Sequence, residues 1–163
     1  QFLLRDVRRS MAHLALDDLQ IYRDAARYCD RVYTLVRTWN SFDSETLGAQ
    51  LVRASDSVGA NIAESYGRYH YAERVHFLYY ARGSAYETIY WLKRAGKRGL
   101  LSDETATGAV NAYMNLNALI NGVIKSTNQR RTHDQRRGPK VNALAESGTD
   151  YRLDEIDEAV LPF

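Results

Sequence analysis

The chain is poor in the residues that staple, break or anchor a fold. It has one cysteine, Cys29, so no disulfide can form within it, and a reducing, cytoplasmic setting is expected. It has two prolines, Pro139 and Pro162. None precedes Pro139, so nothing in the greater part of the chain forbids long helices. No apolar run approaches the roughly 20 residues of a helical membrane span. The opening QFLL is too short for the core of a signal peptide. A membrane is therefore not an expected partner. Charge of one sign is also scarce. The basic and acidic side chains leave a net +2, which by itself neither argues for nucleic acid nor excludes it. With 163 residues, 45% hydrophobic and 26% charged, the chain has the make-up of one soluble globular domain.

What is present is helical periodicity. A first helix is expected from about Asp17 to Thr38. It carries two adjacent apolar seams, Leu19-Tyr22-Ala26-Cys29-Tyr33-Val36 and Ile21-Ala25-Tyr28-Val32-Leu35-Trp39. NSFDSETL reads as a turn, with Asp43 or Ser44 capping a second helix that ends near Arg68. Its apolar stripe is Leu47, Leu51, Ala54, Val58 and Ile62. A third helix is expected over Tyr71–Arg98, with Phe77, Ala81, Ser84, Thr88, Leu92 and Ala95 inward and Gly99 as its stop. A fourth starts at a Ser102 cap, with Asp103 and Glu104 at the positive end of its dipole, and ends near Thr127. Its seam is Ala106, Ala109, Tyr113, Leu116, Ile120 and Val123. Four amphipathic helices with short connections predict an all-α, antiparallel up-down four-helix bundle.

The domain plan is an N-terminal extension over residues 1–14, the bundle over 15–128, and a tail over 129–163. The tail begins basic and polar, NQRRTHDQRRGPK, which predicts a mobile arm. It ends acidic, DYRLDEIDEAVLPF, where Leu153, Ile156, Val160 and Leu161 stand near helical spacing and fit a short docking helix.

QLVRASDSVGANIAESYGR followed by FLYYARGSAYETIYWL carries a specific pattern. Its positions are Arg53, Ala54, Ser57, Asn61, Ile62, Ala63, Glu64, Gly67, Arg68, Phe77, Leu78, Ala81, Arg82, Gly83, Ser84 and Glu87. From about Leu16 to Ile124 the chain resembles the bacterial four-helix bundle family of 23S rRNA intervening-sequence proteins. The accessory variability proteins of diversity-generating retroelements share that fold. Two positions depart from the pattern: Ser65 stands where glycine is usual, and Tyr22 where tryptophan is usual. The resemblance implies a homopentamer of bundles with no catalysis. Its retroelement relatives bind a reverse transcriptase and nucleic acid.

Within the pattern, Gln50, Arg53, Ser57, Asn61, Glu64 and Arg68 step by three or four and form a polar ridge beside the apolar stripe. The ridge is read as a structural network. Glu64 and Arg68 form an i,i+4 pair, Ser57 and Asn61 bond a neighbouring helix, and Arg82 and Glu87 of the third helix are further partners. The competing reading is a ligand site. A di-iron bundle needs two Glu-x-x-His pairs. Glu73 and His76 supply one, and the remaining histidines, His13, His70 and His133, supply no second. Cys29 sits in an apolar seam and reads as a packed small residue. No cofactor and no catalysis are expected.

Two features point to assembly. Tyr79, Gly83, Tyr86 and Tyr90 line the third helix opposite its core face. The fourth helix has no charged residue from Thr105 to Ile124 but carries Asn111, Asn115, Asn117 and Asn121, so a neighbouring subunit is expected to cover it. Two clusters point to phosphates. Lys93, Arg94, Lys97 and Arg98 end the third helix, where complementation of the dipole also explains them. Arg130, Arg131, Arg136, Arg137 and Lys140 lie in the tail. Five chains at +2 give a ring of about +10, with stronger local fields. No aromatic interleaving marks the basic clusters as a single-strand stacking platform.

These features predict a non-catalytic, homo-oligomeric scaffold, pentameric by resemblance. Its partner is RNA or DNA or a ribonucleoprotein, with a reverse transcriptase in the retroelement form. The competing class is a structural or protein-interaction oligomer with no nucleic-acid role. The acidic tail segment would mask the basic clusters if it folded back on them. Deleting residues 150–163 should then raise nucleic-acid affinity in a fluorescence anisotropy titration, and an unchanged affinity removes the masking idea.

Overall fold

The computed structural model describes residues 16–136. Among them are four long helices and no strand. A 3-10 turn, Leu16–Asp18, leads into α1, Gln20–Val36. Then come α2, Ala49–Gly67, α3, Tyr71–Lys97, and α4, Asp103–Arg136. The bundle unit ends at Asn128. No described helix is long and apolar enough to cross a membrane. The tail from residue 137 onward, including Arg137, Lys140 and the acidic segment, lies outside the described residues, as does the extension up to residue 15.

Neighbouring helices run antiparallel, as the contacts along each pair require. From one end of α1 to the other, Val36 lies against Gly48, Cys29 against Ser55, and Ala25 against Gly59. Gly96 of α3 meets Ala106 of α4, while Arg82 reaches Asn121. The apolar stripe of α2 is buried throughout, from Leu47 to Ile62. Each fully buried Leu or Ile there contributes about 1.5–3 kcal/mol. The core face of α3 interleaves small residues with larger apolar ones. Ala81, Ala85 and Ala95 have no exposed surface, which lets the neighbouring helices come close. Thr88 is equally buried, and its hydroxyl donates to the Ser84 carbonyl one turn back (2.8 Å), so it needs no partner on another helix.

The structure corrects several sequence expectations. Of the two seams on α1, Ile21, Ala25 and Val32 of the second are buried. In the first, Tyr33 is exposed. On α3, Phe77 and Ser84 are only half-buried, and Val75, Leu78, Ala85 and Ile89 fill the core positions. Asn40, not Asp43 or Ser44, caps the second helix. Its side chain accepts the Asp43 backbone N–H (3.0 Å) and donates to the Asp43 carboxylate (2.7 Å). After a single turn, Ser41–Asp43, a π-helical segment, Ser44–Gly48, brings Gly48 against α1. A Cβ at Gly48 would stand 2.6 Å from Val36 Cγ1, so only glycine allows this approach. The fourth helix does not end near Thr127 but continues to Arg136.

The two capping expectations at the α3–α4 turn hold. Gly99 has φ +74°, the left-handed region. The Leu100 N–H bonds the Ala95 carbonyl and the Gly99 N–H bonds the Gly96 carbonyl, both at 3.0 Å, which is the Schellman closure. Ser102 Oγ then accepts the Thr105 N–H at 3.2 Å and caps α4.

The centre of the bundle holds a buried polar bond. The Ser55 and Tyr113 hydroxyls are 2.6 Å apart and buried. Burial is the main cause that pushes the Tyr113 phenol well above its ordinary 10.0. The unfolded chain ionises it near the ordinary value while the folded chain keeps it neutral. Stability is therefore full below about pH 10 and falls as pH rises beyond it. Tyr113→Phe is expected to weaken that alkaline loss. At neutral pH the same change strands the Ser55 hydroxyl and should lower stability by about 1–3 kcal/mol in urea denaturation. Adding Ser55→Ala should recover part of the loss, and strictly additive losses would show that the bond contributes nothing.

Candidate nucleic-acid interface

The last turn and a half of α3 gathers cations. Lys93, Arg94, Lys97 and Arg98 are all exposed. Among the described residues, ion pairs join Arg27 to Asp24 and Arg68 to Glu64, and none of the four is neutralised by a carboxylate. Asp103 and Glu104 begin α4 just beyond the turn, where they face the positive end of their own helix dipole. The four cations sit where the α3 carbonyls end, so the dipole favours them there. That leaves their charge directed to solvent.

The same face of α3 continues as aromatic surface. At about 100° per residue, Tyr79, Tyr86, Tyr90, Lys93 and Lys97 fall within a narrow sector of the helix. Tyr79 is 43% exposed, and Tyr86 and Tyr90 are each 53% exposed. The Arg82 guanidinium lies 4.8 Å from the Tyr79 ring centre and that of Arg94 lies 5.7 Å from the Tyr90 ring. Tyr86 makes no polar or ring contact with any described residue. Gly83, between them, leaves open space beside its backbone.

The polar ridge of α2 is organised otherwise than its sequence suggests. Asn61 does not reach a neighbouring helix; its amide donates to the Ser57 carbonyl of its own helix at 2.7 Å. Glu64 and Arg68 pair as expected. Glu87 accepts from the Trp91 indole on its own helix (3.3 Å), and Arg82 donates to Asn121 of α4 (3.0 Å), so neither joins the ridge. Arg53 is exposed. The ridge lies on the outer flank of α2, where the nearest polar groups belong to the same helix. It reaches α3 through Arg68. The guanidinium stacks 4.7 Å from the Phe77 ring, and its backbone carbonyl accepts from Arg74 Nε at 2.6 Å. Ser65, where the family pattern has glycine, is buried and donates to the Arg74 carbonyl at 2.9 Å. The departure thus closes the α2–α3 turn, through a bond that no spacing in the chain announces.

On α4 the asparagines divide. Asn111, Asn115 and Asn121 are exposed, alongside Met114 at 50% and Leu119 at 43%. Asn117 instead points inward. It is 3% exposed, and neither amide atom finds a partner among the described residues. In the second unit, Arg130 and Arg131 are exposed on α4, and Arg136 is its last described residue.

Two of the groups weighed for chemistry, Cys29 and His76, have hydrogen-bond partners. Cys29 Sγ donates to the Ser55 carbonyl at 3.0 Å, and burial, as the largest cause, pushes its thiol up, away from the reactive thiolate. Asp56 is also pushed up, by burial first and then by Asp30. His76 Nε2 hydrogen-bonds the Tyr80 hydroxyl at 2.6 Å. No group of three or more His, Cys, Asp and Glu that could hold a metal ion occurs among the described residues.

No curated protein sequence matches the chain. A solved structure of a protein of unknown function from the S23 ribosomal protein family of Bacteroides thetaiotaomicron is similar in fold. It has a TM-score of 0.59 and 24% sequence identity, over 64% of this chain and 98% of that one. The family model described as 23S rRNA-intervening sequence protein matches residues 17–122, which span α1, α2, α3 and most of α4. The chain belongs to the 23S rRNA-intervening sequence protein family.

Proposed function

We propose that this protein is a non-catalytic, homo-oligomeric scaffold that binds nucleic acid or a ribonucleoprotein partner. The observation that carries the reading is the cluster Lys93, Arg94, Lys97 and Arg98, exposed at one helix end and free of ion pairs among the described residues. Such a cluster attracts phosphates by charge and releases their counterions, without reading base sequence. A family named for an intervening sequence of 23S rRNA makes structured RNA the first ligand to try. The retroelement form of the role, as a reverse-transcriptase accessory, rests on the resemblance of the α2 and α3 motifs alone. Assembly is supported by the uncharged outer face of α4, where Asn111, Met114, Asn115 and Leu119 are exposed. A ring, pentameric as the resemblance implies, would repeat the basic cluster around an axis and multiply its field.

The second reading is a protein-interaction oligomer. It is favoured by the same α4 face, because its exposed Met and Leu suit a protein surface better than a phosphate backbone.

Fluorescence anisotropy with structured RNA, duplex DNA and single-stranded DNA across a salt series separates the two. The scaffold reading expects binding that weakens steeply with salt. Replacing Lys93, Arg94, Lys97 and Arg98 together by alanine should flatten the log–log slope by about 0.9 for each duplex phosphate no longer neutralised. Sedimentation of the same variant should show the wild-type assembly. Absence of binding at low salt leaves the protein-interaction oligomer, and a monodisperse monomer removes assembly from both readings.

A further inference from the structure

We infer that the outward face of α3 is a stacking platform for single-stranded nucleic acid, in which Tyr86 and Tyr90 hold bases while Lys93, Arg94 and Lys97 hold the phosphates that follow. The inference rests on the nucleic-acid reading of the basic cluster and specifies the form of its ligand. Sequence order separates the tyrosines from the cations, and so hides the interleaving. The helix brings them into line, since residues 86, 90, 93 and 97 step by four, three and four.

Three features favour a strand over another protein surface. The rings are half-exposed on a helix whose opposite side is fully packed, so they contribute little to the core. Among the described residues Tyr86 has no polar or ring partner that a base would displace. The row runs without interruption into lysines, which are depleted from the centres of protein interfaces and are suited to phosphate. Base-on-aromatic stacking tolerates any base, and an adjoining basic track holds the backbone. Arg94 over Tyr90 serves both, because its guanidinium covers one side of a ring while its charge faces solvent. Successive rings four residues apart are about 6 Å apart along the axis. A duplex keeps its bases stacked inside and offers such rings nothing, so the platform discriminates between strand and duplex. Within this arrangement, the outer face of α4 takes the subunit contact and the tyrosines are left free.

The full-length chain is titrated with a fluorescein-labelled oligothymidine of about 16 nucleotides and with a duplex of the same length. The wild type should prefer the strand. The double variant Tyr86→Leu, Tyr90→Leu should lose about tenfold or more in strand affinity while duplex affinity holds. Tyr86→Phe with Tyr90→Phe keeps both rings and should bind the strand like the wild type. Helicity by circular dichroism and mass by sedimentation accompany each titration. Equal loss of strand and duplex binding in the Leu variant overturns the inference, as does loss of strand binding in the Phe variant. A change of assembly mass in the Leu variant assigns the row to a subunit interface and also overturns it. A wild type that binds duplex and not strand overturns the platform but leaves the basic scaffold standing. A wild type that binds neither at low salt removes both.

Discussion

Three of the four helices meet at Ser55. Its hydroxyl bonds Tyr113 of α4 at 2.6 Å, and its carbonyl receives the Cys29 thiol of α1 at 3.0 Å. Tyr28 of α1 packs its ring 5.7 Å from that of Tyr113, tilted by 51°. An apolar bundle of small residues could slide in register at modest cost, because alanines fit against one another in many offsets. A buried hydroxyl pair cannot slide, since each misaligned register strands two polar atoms away from water. The register of α1, α2 and α4 is therefore set at one point, and α3 is drawn in by its core face and by the Ser65 and Arg68 contacts with Arg74.

This constraint shapes the surface. With the core face of α3 fixed by Ala81, Ala85, Thr88 and Leu92, the opposite face is obliged to carry Tyr79, Tyr86 and Tyr90 outward. With α4 packed through Tyr113, Leu116 and Ile120, its exposed flank is the uncharged one. The surfaces open to partners are thus consequences of the interior, and the two helices present different chemistry: aromatic and cationic on α3, amide and thioether on α4.

The helices themselves are legible in the chain because a stripe every three or four residues has one physical reading at this length. The α2 stripe is legible completely, as each of its apolar residues has a single side to face. On α1 two adjacent seams are equally apolar, and periodicity cannot rank them. Only the position of α2 and α4 decides that Ala25 and Val32 go inward and Tyr33 outward. Tyr113 belongs to the core by its seam, and a buried phenol needs a partner. That the partner is Ser55 depends on how two distant helices align, which no local pattern encodes. The ridge misleads for the reverse reason. Ser57, Asn61 and Glu64 look like a cross-helix network because they are polar and regular, but Asn61 and Glu64 find their partners on their own helix. Asn117 shares its residue type with exposed neighbours, yet its place one turn after Tyr113 turns it inward.

The Schellman closure at Gly99 has a consequence for whatever docks at that end of the bundle. A basic segment in a loop must be ordered when it binds, and each residue fixed costs about 1–2 kcal/mol. Here the backbone beneath Lys93, Arg94 and Lys97 is helical, and the chain reversal behind it is locked by two hydrogen bonds and one left-handed glycine. Only side-chain rotamers remain to be fixed. The cations are mobile at their tips and held at their roots, so this end of the molecule can follow an irregular polyanion without first having to fold.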